Sequence, residues 1–283
     1  MFVVGAARSG TTVLYRTLLQ HPSFDRGPVD LTESFAVLGL TIDKDMDRVL
    51  VRLKHYMGHD DDGWEAFLRD VRAVRRWRGA LWPVLGRKIR NPAVWRVAGS
   101  SIVLRTYFAY ASEARAPARL AEKTPGNLPM VPHLRRAFPN GRMLVIMRHP
   151  VDVLASYWRR HASDPNAPWA EISVDEFCGV WAESVALVMS YTRKWPESVL
   201  LVRYEDFTAD PAAVFARVCA FIGEPMVDAA LVGTRDRFWE VEPLIFDDIR
   251  EGGSDAASVP EEVATEVRSR LKEPMATLGY DVT

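Results

Sequence analysis

The sequence has 283 residues, of which 48% are hydrophobic and 26% are charged, so the chain is long and apolar enough to form a substantial core. Its formal net charge of −1 gives no reason to expect nucleic-acid binding. No apolar run approaches the ~18 residues needed to span a bilayer, and no signal peptide precedes the first apolar run, so the sequence predicts a cytoplasmic protein.

Four short apolar runs predict buried strands, and helical patterns separate them. The runs are Phe2–Val4, Arg119–Glu122, Met143–Met147 and Val199–Val202. This alternation predicts an α/β fold in which helices flank a central parallel sheet. No linker rich in Pro, Gly or Ser interrupts the chain, so we expect a single domain over residues 1–283.

A loop with two glycines follows the first predicted strand and leads into a predicted helix, Val13 to Gln20. Its sequence is Gly5-Ala6-Ala7-Arg8-Ser9-Gly10-Thr11-Thr12. The backbone N–H groups of such a loop, together with the helix N-terminus, bind phosphate. Gly5 and Gly10 have the spacing of a Walker A loop, but Thr11 replaces its lysine, and the third strand is followed by Arg148 rather than an acid. The loop therefore predicts phosphate binding with little or no metal.

The gap between the first two strands is too long for one crossover, so residues 34–115 predict a helical insert. Between Arg69 and Arg96 there are nine basic residues and one acid. The insert also contains the tryptophans Trp64, Trp77, Trp82 and Trp95. Two interpretations stay open: a solvated helix face with the tryptophans packed inward, or a lid that contacts an anionic or lipid-like substrate, including a membrane surface.

A second group of anion-binding side chains follows the strand Met143–Met147. Arg148 directly follows this strand, and Pro150 suits the first turn of a helix, where its missing N–H costs nothing. Ser156 and Arg160 are four residues apart, so they share one face of that helix. Arg148, Ser156 and Arg160 are predicted to bind a second phosphate through charge-assisted hydrogen bonds. A nucleotide phosphorylated at both its 5′ and 3′ positions needs two such sites.

The last third of the chain contains the fourth predicted strand and a closing helix. Residues Pro260 to Gly279 predict one amphipathic helix. Cys178 and Cys219 fall in apolar helical patterns, so we expect two buried thiols rather than a disulfide. His55 and His59 are four residues apart, but no third ligand follows at a sensible spacing, so no metal site is predicted.

The two phosphate motifs resemble those of the sulfotransferases that use 3′-phosphoadenosine-5′-phosphosulfate (PAPS), especially the branch with an arginine in the first loop, which acts on tyrosylproteins and glycans. The resemblance implies a P-loop-like sheet, with the insert on the acceptor side. It also implies PAPS as donor, PAP as product, no metal, and a hydroxyl acceptor that is a small molecule, a glycolipid or a glycan. The residues implied for the 5′-phosphosulfate are Arg8, Ser9, Gly10, Thr11 and Thr12, and those for the 3′-phosphate are Arg148, Ser156 and Arg160.

Further site residues follow from the same resemblance. Lys123 resembles the family lysine that contacts the transferring sulfate, although a surface lysine is the alternative. Pro125 stands where the cytosolic branch has a histidine base, so the base must come from elsewhere. Glu33 resembles the glutamate base that follows a His-Pro pair in the other branch. Asp30 competes for this role, and Glu33 has a structural alternative as a helix-capping residue.

Two more segments resemble nucleotide contacts of the family. Tyr204 resembles a tyrosine near the nucleotide, and Arg250 with Gly252 resembles a late loop that folds over the 3′-phosphate. Arg8, Lys123 and the loop amides are expected to stabilise charge on the leaving oxygen. The competing interpretations are a P-loop small-molecule kinase that uses ATP and Mg²⁺, and a nucleotide-binding module without catalysis. The missing Walker lysine and strand-end acid argue against the kinase, and the presence of Lys123 and Glu33 argues against the module.

Overall fold

The structure is a computed structural model that describes residues 1–24, 53–54, 60–85, 92–113, 118–164, 170–227 and 255–282. These residues form an α/β fold with a central parallel four-stranded sheet flanked by helices, as the sequence predicted. The strands are β1 (Phe2–Gly5), β2 (Glu122–Lys123), β3 (Met143–Met147) and β4 (Val199–Arg203), in the order β2-β1-β3-β4.

The described part of the chain also contains ten α-helices. They are α1 (Thr11–Leu18), α2 (Asp61–Leu85), α3 (Pro92–Glu113), α4 (Val131–Ala137), α5 (Pro150–Ser163), α6 (Val174–Lys194), α7 (Tyr204–Ala209), α8 (Pro211–Ile222), α9 (Glu261–Arg270) and α10 (Lys272–Thr277). Short 3₁₀ helices cover Pro125–Met130 and Asp255–Ser258. None of these helices is both long and apolar enough to cross a membrane.

The chain divides into two compact units. Unit I consists of Met1–Phe2 and Pro22–Gly141, and unit II consists of Val3–His21 and Arg142–Thr283. The expectation of one domain over the whole chain stays a prediction. Both predicted phosphate motifs belong to unit II, whereas Lys123 belongs to unit I.

The core of unit II is built on β3 and β4. All five residues of β3 are fully buried, as expected for a continuous apolar run in a strand covered on both faces. The two strands are parallel, with Met143 opposite Val199 and Met147 opposite Arg203. Because parallel strands end at the same edge of a sheet, this register brings the residues that follow them, Arg148 and Tyr204, to one edge.

Local signals explain where several helices of unit II begin and end. Helix α5 begins at Pro150, as predicted, and α6 begins with a capping box in which Ser173 and Glu176 each bind the other's backbone N–H. The predicted closing helix is two helices instead, α9 and α10. Pro274 has no N–H to donate to the carbonyl of Arg270, and in a continuous helix its ring would clash with that carbonyl, so α9 ends there.

The described residues of the insert, in unit I, are helical as predicted. Trp64 in α2 is buried against Phe67, and Phe67 packs edge-on against Tyr107 of α3. Trp64 thus packs inward; the side chains of the other three tryptophans lie outside the described residues. Strand β2 begins later than expected, at Glu122, because Arg119 pairs only in an isolated bridge with Phe24.

The two cysteines are free and buried, as predicted. Cys178 lies in α6 and Cys219 in α8, where each packs as a small apolar side chain. Burial raises the pKa of both thiols above the ordinary value of a cysteine, so neither has the character of a reactive thiolate at neutral pH.

Candidate active site

The first loop, Gly5–Thr12, connects β1 to α1, and its two glycines are required by close contacts. A Cβ atom on Gly5 would lie 2.3 Å from the carbonyl oxygen of Ile146 in β3. Gly10 has a φ of +89°, and a Cβ atom there would lie 2.4 Å from Cδ2 of Tyr204. The loop therefore packs directly on β3 and on Tyr204, at positions where no larger residue fits.

Arg8 is held in an unusual backbone conformation and reaches helix α5. Its φ of 68° is in the left-handed region, which costs a non-glycine residue on the order of 1–3 kcal/mol. Its Nε donates a hydrogen bond to Oγ of Ser156 at 3.0 Å, and Ser156 is fully buried. Arg8 from the first motif and Ser156 from the second therefore meet in unit II.

Ser9 carries a buried hydroxyl that has no hydrogen-bond partner within the described residues. It precedes α1, whose first turn contains no acidic residue and whose N-cap, Gly10, offers no capping side chain. The partial positive charge of a helix N-terminus stabilises anions. A buried hydroxyl beside an uncapped helix N-terminus thus fits a phosphate group, which would satisfy both. Thr11 is buried in this first turn, and Thr12 is partly exposed.

Arg148 and Tyr204 form the centre of the second motif. Arg148 is only 2% exposed, and its guanidinium lies 4.5 Å from the centroid of the Tyr204 ring. Asp152, one turn along α5, is 3.8 Å from the same guanidinium. Because the Tyr204 ring contacts both Gly10 and Arg148, it connects the first loop with the second motif.

Arg160 lies one turn beyond Ser156 on α5, as predicted from the spacing. Its guanidinium forms an ion pair with Asp164 at 2.6 Å, and about a third of its side chain is exposed. Arg160 is thus a partly solvated residue, in contrast to the buried Ser156 and Arg148. Its predicted role toward a phosphate stays a prediction.

Lys123 is 1% exposed in unit I, so the alternative of a surface lysine is excluded. Its neighbour Glu122 is fully buried and accepts hydrogen bonds from Thr124 at 2.5 Å and from Asn127 at 3.2 Å. Burying a lysine in this way is unfavourable unless charge or hydrogen bonding compensates for it. The segment that the resemblance singled out is therefore a buried polar cluster.

Four of the predicted positions lie outside the described residues. They are Glu33, its competitor Asp30, Arg250 and Gly252. Their roles stay predictions. Within the described residues, no group of three His, Cys, Asp or Glu side chains has the arrangement of a metal site.

Three side chains around Arg148 were not predicted from the sequence. Trp181 donates to the carbonyl of Arg148, Glu205 accepts from the N–H of His149, and Tyr280 donates to Glu205. The pKa of Glu205 lies above the ordinary value of a glutamate, because burial raises it by more than the accepted hydrogen bonds lower it. Glu205 directly follows Tyr204, which was a usable signal, but Trp181 and Tyr280 are distant in the chain and have no local motif.

The family of the chain follows from its match to a family model described as "Sulfotransferase family", which covers residues 1–228. The chain belongs to the sulfotransferase family. Sulfuryl transfer is the reaction of that family. A search of curated protein sequences finds no match to this sulfotransferase.

Solved sulfotransferase structures share its fold. The sulfotransferase domain from the Synechococcus olefin synthase has 21% identity and a TM-score of 0.62 over 99% of this chain and 94% of that one. The sulfotransferase domain from the curacin biosynthetic pathway has 20% identity and a TM-score of 0.57 over 100% and 98%. A mouse sulfotransferase complexed with PAP has 15% identity and a TM-score of 0.54 over 97% and 83%. At these identities the similarity concerns the fold.

Proposed function

We propose that this sulfotransferase transfers a sulfuryl group from PAPS to a hydroxyl group of an acceptor by in-line displacement. Two contacts within unit II support the proposal: the hydrogen bond from Arg8 to Ser156 and the Tyr204 ring each join the two predicted anion-binding motifs. A mononucleotide needs one such motif, whereas a nucleotide with 5′ and 3′ phosphates needs two. The arginine in the first loop favours the branch that acts on tyrosylproteins and glycans.

The first motif is proposed to hold the 5′-phosphosulfate. The unpaired hydroxyl of Ser9 and the amides of Gly10, Thr11 and Thr12 offer donors, and the N-terminus of α1 contributes partial positive charge. When bound, PAPS supplies an activated sulfuryl group, which leaves behind the phosphate oxygen to which its sulfur was bonded. The residues of this loop stabilise the charge that develops on that oxygen.

The second motif is proposed to hold the 3′-phosphate. Arg148 and Ser156 are buried, so their hydrogen bonds to a phosphate are weakly screened by solvent. Arg160 would add charge after exchanging its partner Asp164 for the phosphate. Arg250 and Gly252 are proposed to close over the same phosphate, on the strength of the family resemblance.

Lys123 and Arg8 are proposed as the cations that act on the transferring group. The family resemblance assigns Lys123 to the sulfate. Lys123 is buried together with Glu122, which supports a role other than that of a solvated surface lysine. A guanidinium carries five N–H donors, so that of Arg8 can donate to the leaving oxygen as well as to Ser156. Their positive charges favour the anionic transition state.

Glu33 is proposed as the general base. Its carboxylate would take the proton of the acceptor hydroxyl while the oxygen of that hydroxyl forms its bond to sulfur and the bond from sulfur to the phosphate oxygen breaks. Pro125, which begins a 3₁₀ helix, leaves no histidine at the position used by the cytosolic branch. The acceptor is proposed to be a small molecule, a glycolipid or a glycan.

The test of this function compares PAP with adenosine 5′-monophosphate (AMP), which lacks only the 3′-phosphate. Changing Arg148→Ala should weaken PAP about ten- to a hundredfold, because a charge-assisted contact is lost, and should leave AMP nearly unchanged. Isothermal titration calorimetry measures both affinities. Arg193→Ala, which removes an exposed arginine from α6, is the matched control and should change neither. Equal losses for PAP and AMP would contradict the assignment.

A further inference from the structure

The peptide group between Arg148 and His149 is held by side chains on both of its polar atoms. Its carbonyl oxygen accepts a hydrogen bond from Nε1 of Trp181 at 3.2 Å. Its N–H donates to Oε1 of Glu205 at 2.7 Å. Trp181 comes from α6 and Glu205 from the first turn of α7, so two separate elements fix one peptide plane.

Glu205 is itself held in place by the C-terminal segment. Its second oxygen, Oε2, accepts a hydrogen bond from the hydroxyl of Tyr280 at 3.0 Å. The ring of Tyr280 is buried beneath the guanidinium of Arg203, which lies 4.4 Å from the ring centroid and donates to the carbonyl of Gly279 at 3.0 Å. Both carboxylate oxygens of Glu205 are therefore hydrogen-bonded, which offsets the cost of its partial burial.

This peptide group holds one side of the Cα atom from which the Arg148 side chain extends. Because Arg148 directly follows β3, that Cα atom lies between the last peptide group of the strand and the peptide group fixed by Trp181 and Glu205. Its guanidinium is constrained separately by the Tyr204 ring and by Asp152. Tyr204 and Glu205 are neighbours in the chain, so one turn of backbone after β4 constrains both ends of Arg148. Buried, fully satisfied polar groups of this kind hold a functional side chain rigidly.

We propose that Trp181 and Glu205 are positioning residues that orient Arg148 toward the 3′-phosphate of the nucleotide, with Tyr280 supporting Glu205. This inference rests on the proposed function, because it requires Arg148 to bind that phosphate. Neither residue contacts the nucleotide; they act by fixing the backbone from which Arg148 extends. Loss of either reduces the contribution of the 3′-phosphate to binding and leaves binding of the remainder of the nucleotide intact.

The readout is the 3′-phosphate preference, defined as the dissociation constant of AMP divided by that of PAP, measured by calorimetry. Trp181→Phe removes the Nε1 donor and keeps an aromatic ring, and should lower the preference about three- to tenfold. Glu205→Ala should lower it by a similar or larger factor. Glu205→Gln should restore most of the preference, because an amide oxygen accepts from His149 and its NH₂ group donates to Tyr280.

Two control variants separate positioning from stability. Trp195→Phe makes the same chemical change just after α6, where the ring stacks on Tyr191, and should leave the preference unchanged. Ser173→Ala removes the capping box of α6 and lowers the melting temperature, and should also leave the preference unchanged. In an Arg148→Ala background, Trp181→Phe should have no further effect on the preference, because its action passes through Arg148.

The outcomes distinguish this inference from the proposed function. A wild-type preference near one would overturn both, because no 3′-phosphate site would exist. A strong wild-type preference that persists in folded Trp181→Phe and Glu205→Ala overturns the positioning role alone. If Glu205→Ala fails to fold, Trp181→Phe decides the question by itself. An undiminished effect of Trp181→Phe in the Arg148→Ala background also overturns the inference.

Discussion

At the scale of single residues, Gly10 is the position where the first loop packs against the Tyr204 ring, which also contacts the second motif. Its left-handed backbone is unfavourable for any residue with a side chain, and the Tyr204 ring occupies the space that a Cβ atom would need. The same ring supports the guanidinium of Arg148. A methyl group at Gly10 must therefore displace Tyr204 and disturb both proposed anion-binding motifs at once.

Gly10→Ala should lower both stability and PAP affinity. The left-handed conformation alone costs about 1–3 kcal/mol for alanine, and the clash at 2.4 Å adds to it. Melting temperature and calorimetry with PAP measure the two effects. The matched control is Gly179→Ala in α6, where a Cβ atom meets nothing within 4 Å and alanine is the better helix former. A Gly10→Ala protein that melts and binds PAP like the wild type would contradict the contact with Tyr204.

Glu33→Gln tests the proposed base, because glutamine keeps the shape of the side chain but cannot take a proton. Turnover should fall ~10²–10⁴-fold while PAP affinity hardly changes, since only acceptor activation is lost. PAP release in the presence of a hydroxyl acceptor measures turnover, and calorimetry on the same preparation measures affinity. Asp30→Asn provides the comparison. A large loss of turnover in Asp30→Asn together with normal turnover in Glu33→Gln would assign the base to Asp30.

The sequence predicted site residues that lie within short motifs, but it did not predict the residues that support them. Arg8, Ser156 and Arg148 were singled out from short local patterns and Tyr204 from the family resemblance, and the structure brings them together in unit II. The hydrogen bond from Arg8 to Ser156 spans 148 positions and was not predicted. The periodicity of a sequence does not indicate which distant residues are in contact, so long-range partners of this kind are seen only in the structure.

At the scale of elements, the strands were predictable because buried parallel strands are short, continuous apolar runs. Strand β3 matches its predicted bounds, Met143–Met147. Strand β2 does not, because it consists of the buried polar residues Glu122 and Lys123, and Lys123 lies beyond the predicted run Arg119–Glu122. The break between α9 and α10 was missed although Pro274 marks it, because the amphipathic pattern continues across the break.

Helix α6 gives an element-scale prediction, because its start depends on one capping box. Ser173→Ala removes the side chain that accepts from the N–H of Glu176 and should lower stability by about 0.5–2 kcal/mol. Thermal unfolding measures the loss. Ser269→Ala, at an exposed position inside α9, is the matched control and should be neutral or slightly stabilising. An equal loss in both variants would mean that the cap contributes nothing.

At the scale of the whole molecule, the alternation of strands and helices predicted the α/β fold, and the two phosphate motifs carried the resemblance to the sulfotransferases. A phosphate loop after the first strand and an arginine after the third specify a P-loop-like sheet without the lysine and the acid that ATP hydrolysis needs. The division into two compact units was not predicted, because no linker in the sequence marks it. The acceptor is equally beyond prediction, because the helical insert carries no motif that selects one.

This protein is proposed to bind a nucleotide that carries both 5′ and 3′ phosphates, and its melting temperature with PAP and with ATP distinguishes such a site from an ATP site. PAP at a concentration a hundredfold above its dissociation constant should stabilise the protein by about 2.7 kcal/mol. For a chain of this size, that corresponds to a rise of about 4–5 °C. ATP with Mg²⁺ at the same concentration should raise the melting temperature far less, because it lacks the 3′-phosphate. A larger shift with ATP and Mg²⁺, or no shift with PAP, would contradict the account.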